Sequence, residues 1–564
     1  MKILQMHADF IEYRLVKKEI ASAEEIQRKS AKEEEVVVLF TAFERGDDDE
    51  LVKGAVSETR EFLSKLGTNR ILIYPFAHIS QDLARPSEAL SLLLFMEKEA
   101  AEQGLETARA PFGWTKALQI KVKGHPLAEM FRSYSREAQT SSTLTKPRHE
   151  PSEHEMLARV RKSDFGQLPE TDHRSLGERL DLFSFQEPSP GMVYWHDKGL
   201  KLRNILIDFI RTELSGRGYL EISSPALANT MLWRVSGHWD HYRSNMFLTS
   251  LGEEEMGLKP MNCPSTFLIY KSRRWSFREL PVRYAIFDPL FRNELSGVAT
   301  GLFRVKILTQ DDAHIIAAED QAEAELSDSL DLMKKLYGVF GLKYKIKIST
   351  RPEESMGSDE EWERATKTLI HVVEAMGLKY EVKEKEGNFY APKIDVDIKD
   401  SLGREWQCGT FQLDLQMPKR FRLAYTGSDG KEHTPVVLHR TICGSLERFI
   451  GIILEHYQGK LPLWLSPVQV RVLSLTDNQV PYAKQVLSSL LRGGVKAEGD
   501  FEHATLNSKV RNAQLQKIPY IVVVGGEEEA SRTLAVRARD GTQRFDVRLE
   551  EFVTDLKSRS ERFE

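Results

Sequence analysis

Lys393-Ile394-Asp395-Val396-Asp397-Ile398 alternates charged and apolar side chains without a break. Successive side chains of a strand point to opposite faces, so this period of two predicts a strand with one apolar and one charged face. Working outward, residues from about His196 to Pro462 read as one long α+β region built on such strands. After Leu463 the pattern changes. Val468-Gln469-Val470-Arg471-Val472-Leu473, a helix near Pro481 to Leu491, and Tyr520-Ile521-Val522-Val523-Val524 form a βαβ pattern. Such continuous Val/Ile strands predict a small parallel-leaning sheet covered on both faces. Upstream, Val36-Val37-Val38-Leu39-Phe40 and Ile71-Leu72-Ile73-Tyr74 read as strands, with a helix from about Pro86 to Gln103. The polar run from Gln139 to Ser152 has no apolar period and marks a linker, and the charged segment 153–195 is predicted to be a helical connector. The expected domains are therefore 1–140, a linker and connector 141–195, 196–465 and 466–564.

The chain has 564 residues, which at roughly 150 residues per domain allows three or four domains. Hydrophobic residues make up 41% and charged residues 29%, the balance of an ordinary soluble globular protein. No apolar run reaches the eighteen or so residues a membrane span needs, and Met1 to Asp9 lose apolar character too early for a secretory signal. Three widely spaced cysteines, 263, 408 and 443, predict no disulfide framework. A cytoplasmic protein without membrane contact is expected. The net charge of −5, and 15 Lys/Arg against 14 Asp/Glu from Ser466 to Glu564, do not advertise a nucleic-acid partner. Recognition of an unstacked loop nevertheless needs only a few side chains.

Three segments carry a cysteine and two histidines that, taken alone, would not imply a metal: Lys259-Pro260-Met261-Asn262-Cys263-Pro264, Thr309-Gln310-Asp311-Asp312-Ala313-His314 and Pro435-Val436-Val437-Leu438-His439-Arg440. They resemble the metal-binding segments of threonyl-tRNA synthetases. The resemblance implies one zinc ion per subunit on Cys263, His314 and His439. Three protein ligands leave tetrahedral zinc an open position, which the amino group and hydroxyl of threonine would complete. Valine lacks the hydroxyl and is rejected. Serine differs by one methyl, worth about 1–3 kcal/mol, so a second sieve is needed.

Phe291-Arg292-Asn293-Glu294 with Ser296-Gly297, and Gly444-Ser445-Leu446-Glu447-Arg448 with Phe449-Ile450-Gly451, look like motifs 2 and 3 of class II aminoacyl-tRNA synthetases. Gly218-Tyr219-Leu220-Glu221-Ile222-Ser223-Ser224-Pro225 is similar to motif 1, which in that class lies at a dimer interface. The resemblance implies an antiparallel-sheet catalytic core, a homodimer, and ATP with Mg2+. It assigns Arg292 to the α-phosphate and the threonine carboxylate, Glu294 to the adenine amino group, and Arg448 to the γ-phosphate and adenine face. Arg304 is a further ATP contact. Gln310, Asp312, Tyr390, Lys393 and Gln412 line the threonine pocket, and His238 assists transfer to tRNA(Thr), a task suited to an imidazole titrating near neutrality. The chain departs from the family pattern at Thr266, Thr300 and Leu308.

Ile73-Tyr74-Pro75-Phe76-Ala77-His78-Ile79-Ser80, Ala110-Pro111-Phe112-Gly113-Trp114-Thr115-Lys116-Ala117 and Lys123-Gly124-His125-Pro126-Leu127-Ala128-Glu129 resemble the archaeal-type editing domain of the same family, whose α/β fold is that of D-aminoacyl-tRNA deacylases. The resemblance implies hydrolysis of seryl-tRNA(Thr) by His78, Lys116 and Glu129, with Thr115 where a tyrosine often stands. Thr505 to Arg511 and Lys517 to Gly525 resemble an α/β anticodon-binding domain, with Glu528 and Arg537 matching positions that read anticodon bases. Two rivals stand beside this reading. One is a trans-editing deacylase with a weakened synthetase core, and the other a non-catalytic synthetase-like RNA-binding regulator.

Overall fold

The computed structural model describes residues 1–564 except 21–22, 27, 81, 125–127, 135–167, 295–300 and 401–402; of Lys65 and His78 it describes the backbone alone. Two compact units divide the chain, Met1–Glu150 and Pro151–Glu564. Among the described residues no helix is long and apolar enough to cross a membrane.

The first unit is organised by its first strand, β1 (Lys2–Lys18). β2 (Ser30–Ala42) pairs antiparallel to it, and β3 (Arg70–Pro75) and β4 (Glu106–Arg109) extend the sheet in parallel. On the other side, β5 (Trp114–Val122) and β6 (Glu129–Ser133) both pair antiparallel with β1. The helices α1 (Asp49–Leu66) and α2 (Pro86–Glu102) cover one face, where Val37, Leu39, Ile71 and Ile73 meet Val52, Leu63, Leu93 and Met96. Val36, Val38, Phe40, Leu72 and Tyr74 fill the other face with Ile11 and Tyr13. The run Val36–Phe40 is therefore apolar throughout because both of its faces are buried.

In the second unit α3 (Asp197–Ser215), α4 (Cys263–Lys271), α5 (Ala322–Val339), α6 (Asp359–Ala375) and α7 (Leu446–His456) surround an eight-stranded sheet. Its strands are β7 (Leu220–Glu221), β8 (Val282–Ile286), β9 (Asp312–Ala317), β10 (Lys343–Ser349), β11 (Tyr380–Lys383), β12 (Lys393–Lys399), β13 (Glu405–Asp414) and β14 (Val436–Thr441), in the spatial order β11-β10-β12-β13-β14-β9-β8-β7. The inner pairings are antiparallel and the two outermost are parallel. On one face Ile315, Leu438, Phe411, Ile394 and Val396 join the main core.

The alternation of Lys393 to Ile398 is borne out by β12, whose Ile394, Val396 and Ile398 are fully buried. Its aspartates are buried too, each with a partner: Asp395 accepts from Ser349 Oγ at 2.9 Å and Gln407 Nε2 at 2.6 Å, and Asp397 pairs with Lys347. Residues 168–195 differ from the helical connector expected. They hold a short helix, His173–Arg179, and then a two-stranded hairpin, Phe183–Phe185 with Val193–Trp195. Helix and hairpin pack directly together at Gly177, where a Cβ would sit 2.4 Å from the Phe183 ring. The rest of the expected linker lies outside the described residues.

The C-terminal sheet is mixed. β15 (Val470–Ser474) pairs in parallel with β16 (Ala497–Asp500) and β17 (Tyr520–Val524), as expected, but β18 (Thr533–Ala538) and β19 (Gln543–Arg548) continue it antiparallel. Apolar clusters cover both faces of the parallel part, while β19 is largely exposed.

One buried ion pair ties the sheet to the loop before α7. Asp311, with no exposed surface, accepts from Thr441 Oγ1 at 2.7 Å, from the Ile442 N–H at 2.9 Å and the Cys443 N–H at 2.9 Å, and pairs with the equally buried Arg440 at 3.3 Å. Removing one partner of a buried pair leaves an uncompensated charge, at a cost of about 3–5 kcal/mol. Asp311→Leu is expected to lose stability on that scale in urea unfolding, and adding Arg440→Met to recover part of it. A loss under about 1 kcal/mol, the scale of an exposed pair, would contradict this reading.

Candidate functional site

The face of the sheet opposite the main core carries one continuous row. Cross-strand register puts Tyr284 beside His314, His314 beside His439, His439 beside Gln412, Gln412 beside Lys393 and Lys393 beside Ser349. Asp312 and Asp414 lie two positions along β9 and β13, on the same face. Six residues spread over more than a hundred positions thus become neighbours.

Cys263, the first residue of α4, sits over this row. Candidate ligand atoms of Cys263, His314 and His439 all lie within 4.8 Å of one another, and all three residues are buried. His439 Nε2 is 3.0 Å from Asp414 Oδ2, which leaves its other ring nitrogen for a ligand role. Buried His314 Nδ1 has no hydrogen-bond partner among the described residues. Burial, with Asp312 and Asp414 nearby, pushes the Cys263 thiol well up, and burial beside His439 and Arg440 pushes His314 well down. A thiol and two imidazoles converging with an unpartnered nitrogen fit a soft divalent cation such as zinc, whose charge would make the thiolate the stable form.

The residues that the resemblance assigns to threonine lie on and beside this face. Tyr390 Oη donates to Gln412 Oε1 at 2.6 Å, Lys393 Nζ lies 2.9 Å from Asp395, and Asp312 accepts from Asn262 Nδ2 at 3.0 Å. Burial raises the Asp312 carboxyl to about 6 against the opposing Asn262 hydrogen bond. Gln310 bridges to Ser445, joining this strand to the loop before α7.

Arg292 and Arg448 are both held by backbone carbonyls. Arg292 donates through Nε to the Pro260 carbonyl at 3.3 Å; Arg448 donates to the Phe303 carbonyl at 2.9 Å and the Gln407 carbonyl at 3.0 Å. Neither has an ion-pair partner among the described residues, so both charges are held in place and left for an anion. Glu294 and Arg304 instead pair with each other at 2.7 Å. Leu308 packs with Leu290 and Val305 in a small apolar cluster, and Thr266 donates to the Asn262 carbonyl at 3.1 Å. Ser296, Gly297 and Thr300 lie outside the described residues.

His238 corrects an expectation. It is fully buried, its Nδ1 is 2.8 Å from Ser236 Oγ, and its Nε2 has no partner among the described residues. Burial, with nearby Arg292 and Arg420 acting in the same direction, lowers it to about 3. The ring is a fixed neutral imidazole at physiological pH, not a group titrating near neutrality.

In the first unit, Lys116 lies on β5 with Nζ 4.9 Å from the Tyr74 ring centre, donating to the Trp114 carbonyl at 3.3 Å. Burial lowers it to about 8, with Glu24 opposing. Glu24 also faces Arg109, which donates to it at 2.7 and 3.0 Å. His78 stands in a short 3-10 turn, Ala77–Ile79, after β3; its side chain, like His125, Pro126 and Leu127, is outside the described residues. Glu129 is not brought to Lys116 within one chain. Lys116 pairs with Leu15 and Glu129 with Met6, nine positions apart on β1, roughly 30 Å of extended strand. In the C-terminal sheet, Glu528 Oε2 accepts from the Gly525 N–H at 2.8 Å and so caps its own short helix, while Arg537 is half-buried on β18.

Family models match three stretches: an archaea-specific editing domain of threonyl-tRNA synthetase at residues 1–134, a class II tRNA synthetase core domain (G, H, P, S and T) at 247–457, and an anticodon binding domain at 469–559. A crystal structure of the RNA binding domain of threonyl-tRNA synthetase from Cryptosporidium parvum is 41% identical with a TM-score of 0.67, covering 69% of this chain and 98% of that one. The chain belongs to the threonyl-tRNA synthetase family. The threonine--tRNA ligase of Acetivibrio thermocellus is 49% identical over 68% of this chain and 61% of its own length, and that of Clostridium tetani 47% identical over 68% and 60%. The chain thus spans about 60% of the length of these curated relatives.

Several contributors escape sequence reasoning. Asn262, Asp311, Asp414 and Arg440 stand inside or beside the motif strings, but only the fold shows that they orient Asp312, the loop before α7 and His439. Lys259, nearly without exposed surface, pairs with Asp288 at 2.6 Å and donates to Ser224 Oγ at 2.8 Å, fixing the segment before Pro225.

Lys116 should become reactive toward an amine-labelling reagent with a midpoint near pH 8, two units below an ordinary lysine at about 10.4. Competitive labelling across pH checks this, and a midpoint at or above 10 would contradict the desolvated setting.

Proposed function

We propose that this chain activates L-threonine with ATP, transfers it to tRNA(Thr), and clears seryl-tRNA(Thr) in its first 140 residues, the division of labour read from the sequence. The observation that carries the activation half is the register row, which gathers His314, His439, Gln412 and Lys393 under Cys263, together with two arginines that have no ion-pair partner among the described residues. Zinc belongs to this proposal: Cys263, His314 and His439 would hold it, and it would supply a Lewis-acidic contact that distinguishes a hydroxyl-bearing side chain from an isosteric apolar one.

The chain's own groups supply the rest. Arg292 and Arg448 meet the negative charge of ATP and its Mg2+ without first breaking an ion pair, so little reorganisation accompanies binding. The Glu294–Arg304 pair must open for either partner to contact the nucleotide. Asp312 and the Tyr390–Gln412 pair orient the amino acid, with Lys393 held by Asp395 at the pocket's edge. Neutral His238 offers an unprotonated nitrogen to the ribose hydroxyl; it positions that hydroxyl by hydrogen bonding and does not hold a proton between turnovers.

For editing, Lys116 places positive charge where an ester carbonyl develops negative charge. A residue that burial brings to about 8 keeps that charge at neutral pH and loses it above. Recognition of the anticodon by the C-terminal sheet through Glu528 and Arg537, and the cytoplasmic setting, are part of the same reading. So is a homodimer. Leu220, on the edge strand β7 of the eight-stranded sheet, is 54% exposed, an apolar side chain at an open edge that a second copy would cover.

Metal analysis should find about one zinc per chain in wild type and markedly less in Cys263→Ala; equal contents would remove the metal from the site. Arg292→Ala should abolish threonine-dependent ATP–pyrophosphate exchange and leave hydrolysis of pre-charged seryl-tRNA intact, with Lys116→Met doing the reverse. Loss of both activities from either single change would defeat the division between units.

A further inference from the structure

His173 lies in the segment that the family reading left without a role. Its helix is short, but the residue itself is buried to 1% exposure and both ring nitrogens are used. Nδ1 is 2.8 Å from Glu455 Oε1, to which the His173 backbone N–H also donates at 3.0 Å. Nε2 accepts from the Leu302 N–H at 3.0 Å. Accepting at Nε2 while facing a carboxylate at Nδ1 requires the neutral tautomer with its proton on Nδ1. Asp172, His173 and Glu455 also meet the geometric criterion for a metal cluster. With both imidazole nitrogens engaged by protein, the arrangement is a hydrogen-bond relay instead.

The relay ends at the nucleotide-facing arginine. The Phe303 ring lies 4.1 Å from the His173 ring and 4.2 Å from Trp406, and the Phe303 carbonyl accepts from Arg448 Nε. Arg448 and Glu455 stand seven residues apart on α7, two turns of one face. The Leu302–Phe303 loop is thus clamped at both ends by a single helix, through Arg448 directly and through Glu455 by way of His173. Gly301 has φ of +57°, and a Cβ there would fall 2.2 Å from His173 Nε2, so the loop approaches the imidazole as closely as a glycine allows. Arg404 pairs with Glu455 from the far side, so the carboxylate keeps a counter-charge while it holds His173.

We propose that His173 is a positioning residue for the nucleotide site: it transmits the anchor at Glu455 to the Leu302–Phe303 loop and thereby fixes the carbonyl that aims Arg448. This rests on the reading that Arg448 meets ATP.

The test uses the full-length protein and threonine-dependent ATP–pyrophosphate exchange, with calorimetric binding of a non-hydrolysable ATP analogue as a second readout. His173→Leu removes the acceptor and should raise the KM for ATP roughly three- to tenfold, the scale of one lost hydrogen bond, with the KM for threonine unchanged. His173→Gln, whose amide oxygen can still accept from Leu302, should restore ATP affinity. Gly301→Ala forces a methyl between the loop and the His173 ring and so breaks the same contact from the loop side; it should give the same ATP-selective defect even if His173→Leu fails to fold. Unchanged ATP affinity in Gly301→Ala, KM values for ATP and threonine rising together, or no rescue by His173→Gln would each overturn the relay. A wild-type protein without threonine-dependent exchange would overturn the ATP reading itself, and the calorimetric comparison would then judge the relay separately.

Discussion

In an antiparallel sheet a one-residue slip of any strand turns all its side chains to the opposite face. The row Tyr284, His314, His439, Gln412, Lys393, Ser349 depends on that register at every pairing. A slip of β14 would bury the His439 imidazole in the main core and bring Leu438 out beside Cys263. The core resists this because Ile315, Leu438, Phe411 and Ile394 alternate with the site residues and fill the opposite face without exposed surface of consequence. Apolar burial at about 25 cal/mol per Å² is therefore what keeps these side chains on one face.

Around this sheet, buried charges do the local fastening. Asp311 with Arg440 holds the loop before α7, Lys259 with Asp288 holds the Ser223–Ser224 segment, and Glu455 holds His173 and Arg404. Such pairs are poor sources of net stability, since desolvation offsets much of the attraction. What they fix is direction: each joins a loop to a regular element at one orientation. Arg292 and Arg448 are the complement of this pattern, held by carbonyl oxygens and without an ion-pair partner among the described residues.

Strand β12 was legible because the period of two in Lys393–Ile398 is local, and β17 because five apolar residues in a row have no other ordinary explanation. The grouping of Cys263, His314 and His439 was legible only through the strings around them; their convergence is a long-range consequence of register that no window of sequence contains. β1, the strand that organises the first unit, escaped notice because its seventeen residues mix Lys, Glu and Arg among the apolar positions and it faces both cores over only part of its length. The expectation for His238 failed for a related reason: residue type sets the starting pKa, but burial and the nearby arginines decide it. Glu129 fails to reach Lys116 through the same geometry that makes β1 long, since β5 and β6 occupy different stretches of it.

The central claim is that the face carrying His314, His439 and Gln412 reads a hydroxyl-bearing amino acid. Amino-acid-dependent ATP–pyrophosphate exchange measured in parallel with threonine, serine and valine tests it most directly. The account predicts strong exchange with threonine, measurable exchange with serine reduced roughly 10–200-fold for the missing methyl, and essentially none with valine. Valine supporting exchange as well as serine does would contradict it, because a site that cannot distinguish a hydroxyl from a methyl has no use for the arrangement described.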